Sequence, residues 1–136
     1  MIDSEIRALV NFRLEQAQNC LSAAKVSAEA GLYKDAANRS YYCIFHSMRA
    51  VLALEGFDSK KHSGIMSAFR QRYIKTKMFD SAFSDVIGAA FEIRNFSDYE
   101  DFYVVSKVEV IQQIENACSF LRTVAAYIEK FSITDL

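Results

Sequence analysis

Apolar residues recur along this chain at alternating intervals of three and four, the spacing that lines one face of an α-helix. Val10, Leu14, Ala17, Leu21, Ala24 and Ala28 do so first, predicting a helix from about Ser4 to Ala30. Asp3 or Ser4 can cap its start, since either side chain accepts from an orphan backbone N–H. Gly31 suits its end, where a left-handed residue is common. Ala37, Tyr41, Ile44, Met48 and Val51 form the next stripe, and Tyr42, Phe45 and Leu52 widen it. That predicts the most buried helix, from about Lys34 to Glu55, with Gly56 as its stop. A short helix from about Ile65 to Ile74 turns Ile65, Ala68 and Phe69 inward. Phe79, Phe83, Val86, Ala90 and Ile93 share a face of a fourth helix, from about Asp80 to Arg94 or beyond. Ser106 and Glu109 form a capping box for a last helix to about Lys130. Ile111, Ile114, Cys118, Leu121, Ala125 and Ile128 face inward along it.

Four long amphipathic helices and one short one, joined by short links, predict an all-α antiparallel up-and-down bundle forming a single domain over residues 1–136. Composition supports this. The chain has no proline and only four glycines, so few turns are available. A many-turned β sandwich and collagen-like or linker-like classes are excluded. No apolar run approaches the length of a membrane span, and the N-terminal MIDSEIRALVNF lacks a signal-peptide core. A cytoplasmic location is expected. A net charge of −1 argues against a broad, sequence-specific DNA-binding face but leaves room for a local basic site. Cys20, Cys43 and Cys118 share no metal-binding or redox spacing and sit in apolar stripes, which predicts reduced, buried filler.

Phosphate-loop, dinucleotide-binding, zinc-protease and EF-hand motifs are all missing, and neither histidine has a partner at metal-ligand spacing. No metal or cofactor is expected. Two polar clusters carry the remaining chemistry. Lys60, Lys61, His62, Ser63 and Gly64 form a basic loop entering the short helix, where backbone N–H groups favour anions. His62 titrates near neutrality if unperturbed. The plain alternative is a solvated loop with Ser63 as a helix cap. The second cluster is Arg94, Asn95, Phe96, Ser97, Asp98 and Tyr99. In a helix, Arg94 and Asp98 lie one turn apart, as do Asn95 and Tyr99. Arg94 then suits bidentate phosphate binding; the plain alternative is a surface salt bridge worth under about 1 kcal/mol. His46, one turn after Tyr42, is expected to be a hydrogen-bonded core histidine, with Arg39 and Arg49 on solvated faces.

These clusters occur in an order that resembles HEPN-domain proteins. The run from Gly31 to His46, GLYKDAANRSYYCIFH, resembles the second-helix signature G-x-Y-x-x-A-x-x-x-x-Y-Y-x-x-F-H. Lys61–His62–Ser63–Gly64 resembles the K-x-H-x-G/S loop, and Arg94 to Tyr99 the R-x-x-x-D-Y element. The resemblance spans about Glu15 to Lys130. It implies a prokaryotic helical bundle that forms a homodimer, often paired with a minimal nucleotidyltransferase. Toxin members are metal-independent ribonucleases whose motif is an arginine, a polar residue, and a histidine four to six residues later. The arginine and polar residue map onto Arg94 and Asn95, but Tyr99, Glu100 and Asp101 occupy the histidine's window. A tyrosine that some toxins present for nucleotidylation would fall at Asp101, with Tyr99 and Tyr103 nearby. Cleavage through a 2′-hydroxyl needs a group that exchanges protons near pH 7. Tyrosine at about 10 and aspartate at about 3.9 do not supply it. His62 does so only if its loop folds over Arg94.

The expected function is therefore a non-catalytic, dimeric HEPN module in a toxin–antitoxin-like or defence system. It would bind a nucleotide or RNA phosphate through Lys60, Lys61, His62 and Arg94, or a nucleotidyltransferase partner. The alternatives are an endoribonuclease toxin with an altered motif, using Arg94, Asn95, Asp98, Tyr99 and His62, and a purely structural helical partner.

Overall fold

The computed structural model describes residues 3–134, with side chains through residue 131. Five α-helices follow one another: α1 (Ser4–Glu29), α2 (Tyr33–Ala53), α3 (His62–Phe69), α4 (Ala82–Tyr99) and α5 (Lys107–Thr134). A π-helical turn, Arg70–Ile74, continues α3. The result is an all-α bundle with no strand among the described residues.

Asp3 caps α1 by accepting from the Ile6 N–H at 2.8 Å. Gly31, at φ +78°, takes the left-handed turn into α2. α2 is the central helix and packs against α1, α3, α4 and α5. Its Tyr41, Ile44, Met48, Val51 and Leu52 are fully buried. Each such side chain contributes about 1.5–3 kcal/mol by leaving water. The capping box of α5 is present: Ser106 Oγ accepts from the Glu109 N–H, and Glu109 Oε1 from the Ser106 N–H, both at 3.1 Å.

Three expectations are corrected. The short helix begins at His62, not Ile65, and Ser63 is not its cap; Lys61 stands at that position with no side-chain cap bond. The turn chemistry lies upstream. Asp58 Oδ1 accepts from the Ser59 N–H at 2.8 Å and Ser59 Oγ from the Lys61 N–H at 3.2 Å. Gly64 is required because a Cβ there would strike the Ser59 side chain. Second, α4 begins at Ala82, two residues later than expected, and continues through Tyr99, as the open far bound allowed. Third, the α5 stripe is shifted. Val110, Ala117, Phe120 and Val124 are its most buried residues, while Ile111 is 44% exposed. Two apolar stripes interleave on this helix, and packing against α2 and α1 selects between them.

Candidate functional site

The Tyr41–Tyr42 doublet of α2 joins the two polar clusters. Tyr41 is fully buried, so its hydroxyl must find a partner inside the protein. It finds His62 Nδ1 at 2.7 Å. The first turn of α3 thereby lays the His62 ring on Phe45, stacked at 4.2 Å between centroids, with the Tyr42 ring edge-on at 5.8 Å. From the other side, α4 brings Arg94. Its Nη2 donates to Tyr42 Oη at 3.1 Å, and the guanidinium lies 5.3 Å from the Tyr41 ring and 5.4 Å from the Tyr42 ring. His62 and Arg94, 32 residues apart in sequence, thus meet on the same two tyrosines.

Arg94 is the hub. Its Nε stands 3.0 Å from Asp98 Oδ2, with the Arg94 side chain only 14% exposed. This is a half-buried ion pair, not a solvated surface bridge. The Nε–H is buried and not aligned with the carboxylate, so it keeps donor capacity. Nη1 donates to Asn95 Oδ1 at 3.3 Å, and Tyr99, 72% exposed, has its ring 5.9 Å from the guanidinium. Asp98 Oδ2 also accepts from Asn38 Nδ2 at 3.2 Å. Asn38 in turn accepts from Arg39 at 2.7 and 3.1 Å, and the Arg39 guanidinium lies 5.3 Å from the Tyr42 ring. Two guanidinium groups therefore flank one tyrosine, with one carboxylate between them.

A second arginine cluster anchors the turn that carries Lys60, Lys61 and His62. Asp58 receives Arg13 Nη2 at 3.2 Å and Arg49 Nη2 at 3.1 Å. Arg13 also donates to the Arg49 carbonyl at 3.0 Å. Burial alone raises the Asp58 carboxyl, but hydrogen bonds from Arg49 and the Ser59 N–H, with the charges of Arg49 and Arg13, hold it below its ordinary value. Arg49 is thus an engaged side chain rather than a solvated one, and Arg13 is buried at 6% exposure. Lys60 and Lys61 are exposed.

The histidines share this cationic setting. Burial, then the charges of Arg94 and Arg49, push His62 below its ordinary value, so its ring is neutral at pH 7. His46 is pushed down to about 4, first by burial and then by Arg49, Arg13, Arg39 and His62. Its Nδ1 is buried without a partner among the described residues, contrary to the expectation of a satisfied core histidine. Burial raises the Tyr41 hydroxyl well above its ordinary value, only partly offset by Arg94. No group of three or more His, Cys, Asp or Glu side chains suited to a metal occurs among the described residues. The three cysteines are free, with Cys118 only half-buried.

Comparison with known proteins identifies the family and the fold. The HEPN domain family model matches residues 10–128. The chain belongs to the HEPN family. A Methanocaldococcus jannaschii relative, named "Putative toxin MJ0605", is 32% identical over 99 residues, 73% of this chain and 74% of that protein. A Thermotoga maritima relative, named only as a UPF0332 protein, is 28% identical over 126 residues, 93% of this chain and 96% of its own. The crystal structure of an archaeal HEPN homologue superposes with a TM-score of 0.61 at 20% identity, covering 88% of this chain and 97% of that one. That likeness supports the fold.

Within this HEPN fold the candidates divide. His62, Arg94, Asn95, Asp98 and Tyr99 come together around Tyr42. Lys60 and Lys61 remain at the exposed edge of the turn leading to His62. Sequence reasoning missed Asn38, Arg39, Tyr41 and Tyr42 as site residues. The signal was present in the tyrosine doublet on a stripe otherwise built from apolar side chains. A hydroxyl carried into a core implies a polar partner arriving from elsewhere.

Proposed function

We propose that this chain is a non-catalytic HEPN module that holds a phosphate of a nucleotide or RNA against Arg94, His62 and the neighbouring lysines, within a toxin–antitoxin-like or defence pair. The observation that carries this is the convergence of Arg94 and His62 on Tyr41 and Tyr42. Arg94 and Arg39 flank Tyr42, with Asp98 orienting Arg94. Such arginines offer the planar donor fork that phosphate oxygens accept. Tyr42 and the exposed Tyr99 add ring faces on which a base can stack.

The chemistry supports binding over cleavage. Transesterification needs a base and an acid. A neutral His62 supplies a base, but its Nδ1 is occupied by the Tyr41 hydroxyl. That hydroxyl is held well above its ordinary pKa. Neither group is poised to deliver a proton at pH 7. The endoribonuclease reading retains one favourable observation, the placement of an imidazole beside Arg94 in the fold. Homodimerisation and a nucleotidyltransferase partner belong to this proposal as what the family resemblance implies.

Fluorescent single-stranded RNA and ATP, titrated against wild-type protein, Arg94→Ala and His62→Ala, test it. Binding without cleavage is expected. Arg94→Ala should weaken it about tenfold or more, the loss of one charge-assisted contact, and lower the salt slope by about one. RNA cleavage that vanishes in both variants would establish the ribonuclease instead. No saturable binding of either probe refutes the phosphate site.

A further inference from the structure

Directly after His62, a groove of about 480 Å³ runs along α3 and its π turn, from Ser63 to Lys75. Met66 and Ile74 give it an apolar floor, and Ser67 stands exposed at its middle. Its cations are Arg70 and Lys75, and no carboxylate lines it. Arg70 is half-buried and already fixed in place. Its Nε donates to Ser84 Oγ and its Nη2 to the Ser84 carbonyl, both at 3.0 Å. Both acceptors are neutral. Arg13, Arg49, Arg72 and Arg94 each have a carboxylate at 3.0–3.2 Å. Arg70 has none within ion-pair distance among the described residues, and its Nη1 makes no hydrogen bond among them. A guanidinium held in position without being neutralised is preorganised to receive an oxyanion. The π turn that begins at Arg70 is a departure frequent at functional sites.

Position selects the anion. α3 and α4 lie side by side in opposite senses. His62 and Arg94 share one end through Tyr41 and Tyr42, while Arg70 and Ser84 share the other. His62 and Arg70 are eight residues apart, about 12 Å along the helix. A nucleoside monophosphate has one phosphate and cannot serve both ends. A strand of about three or four nucleotides can, at the 3.4 Å rise of a stacked strand. Met66 and Ser67, between the ends, offer a base an apolar contact and a hydroxyl. We propose that this groove is a second phosphate subsite, in which Arg70 and Lys75 hold a phosphodiester of the same single-stranded RNA whose other phosphate sits at Arg94 and His62. This rests on the phosphate reading of the Arg94 corner and narrows its ligand from any nucleotide to a strand.

The test titrates the full chain with fluorescein-labelled uridylates of one, two, four, six and eight residues. Affinity should rise at least tenfold between two and six residues. Lys75→Glu and Ser67→Glu, both at exposed positions, should weaken the eight-residue strand about tenfold and leave the one-residue probe unchanged. Arg70→Gln should do the same and lower the salt slope by about 0.7, one counterion on a single strand. Arg94→Ala should weaken every length. Arg94-dependent binding with no gain beyond two residues, or with Lys75→Glu equal to wild type, overturns the groove and leaves the corner standing. Strand binding that depends on Arg70 but not on Arg94 overturns the corner, and with it the shared strand. No binding at any length overturns both. An eight-residue glutamate peptide that binds as tightly as the RNA, and loses that affinity in Lys75→Glu, also overturns the proposal, the occupant then being an acidic peptide.

Discussion

Lowering the pH should destabilise this protein through His46, and the size of the effect follows from where that ring sits. Its Nδ1 is buried without a partner among the described residues, and burial, Arg49, Arg13, Arg39 and His62 all oppose its protonation. The folded pKa of about 4 lies below the ordinary 6.5. The unfolded chain therefore takes up a proton first. Stability is complete above the unfolded pKa and is lost as pH falls from about 6.5 towards 4. Taken whole, the shift costs about 2 kcal/mol at pH 5. The ring is only partly buried, so solvent screening reduces this to about 1 kcal/mol. His46→Gln removes the titration. Urea unfolding of wild type and variant at pH 7 and pH 5 measures the difference of differences, which cancels the carboxylates common to both. The wild type should lose about 1 kcal/mol more than the variant between the two pH values. Equal losses, or a His46 ring titrating above pH 6 by NMR, would refute the reasoning.

The Asp58 anchor gives a second test. Asp58→Ala strands the buried Arg13 guanidinium, and because Asp58 is half-exposed the cost should be about 2 kcal/mol, below the range for fully buried pairs. Thermal melts would report a drop of about 6–10 °C, and an unchanged Tm would contradict the anchoring role. Gly64→Ala should destabilise through its collision with the Ser59 side chain, and Ser59→Gly should restore much of the loss by opening the space. Burial and then the charges of Arg94 and Arg49 lower His62, so a bound phosphate that offsets the two charges should favour His62 protonation. Phosphate-dependent RNA binding should then tighten as pH falls from 7 to 6 in wild type and stay flat in His62→Ala.

The helical skeleton was legible in the sequence because its stripes obey a single period, and the α1 cap, Gly31 turn and α5 capping box lie where local chemistry puts them. What could not be read was register where two stripes interleave, as on α5. There only the neighbouring helices decide that Val110 turns inward and Ile111 outward. The site was half legible. Arg94 and Asp98 are neighbours in one helix, so their spacing predicted their pairing. His62 and Arg94 are not, and nothing local links them. The Tyr41 hydroxyl does, by drawing the start of α3 onto α2. Arg13 was invisible for the same reason, since its partner Asp58 lies in a different turn of the chain.

The histidine missing from the window after Arg94 is thus balanced by another approaching the same tyrosines from α3, yet the two arrangements are not chemically equivalent. His62 arrives with its Nδ1 held by Tyr41, its face against Phe45, and guanidinium charge pressing it towards neutrality. Burial first, then the charges of Arg94 and Arg49 on His62 and of Arg49, Arg13 and Arg39 on His46, lower both histidines and leave little imidazolium at pH 7 to serve as a general acid. On the proposed reading, anion binding at this corner and proton uptake by His62 form one linked equilibrium, which favours capturing a phosphate over cleaving one.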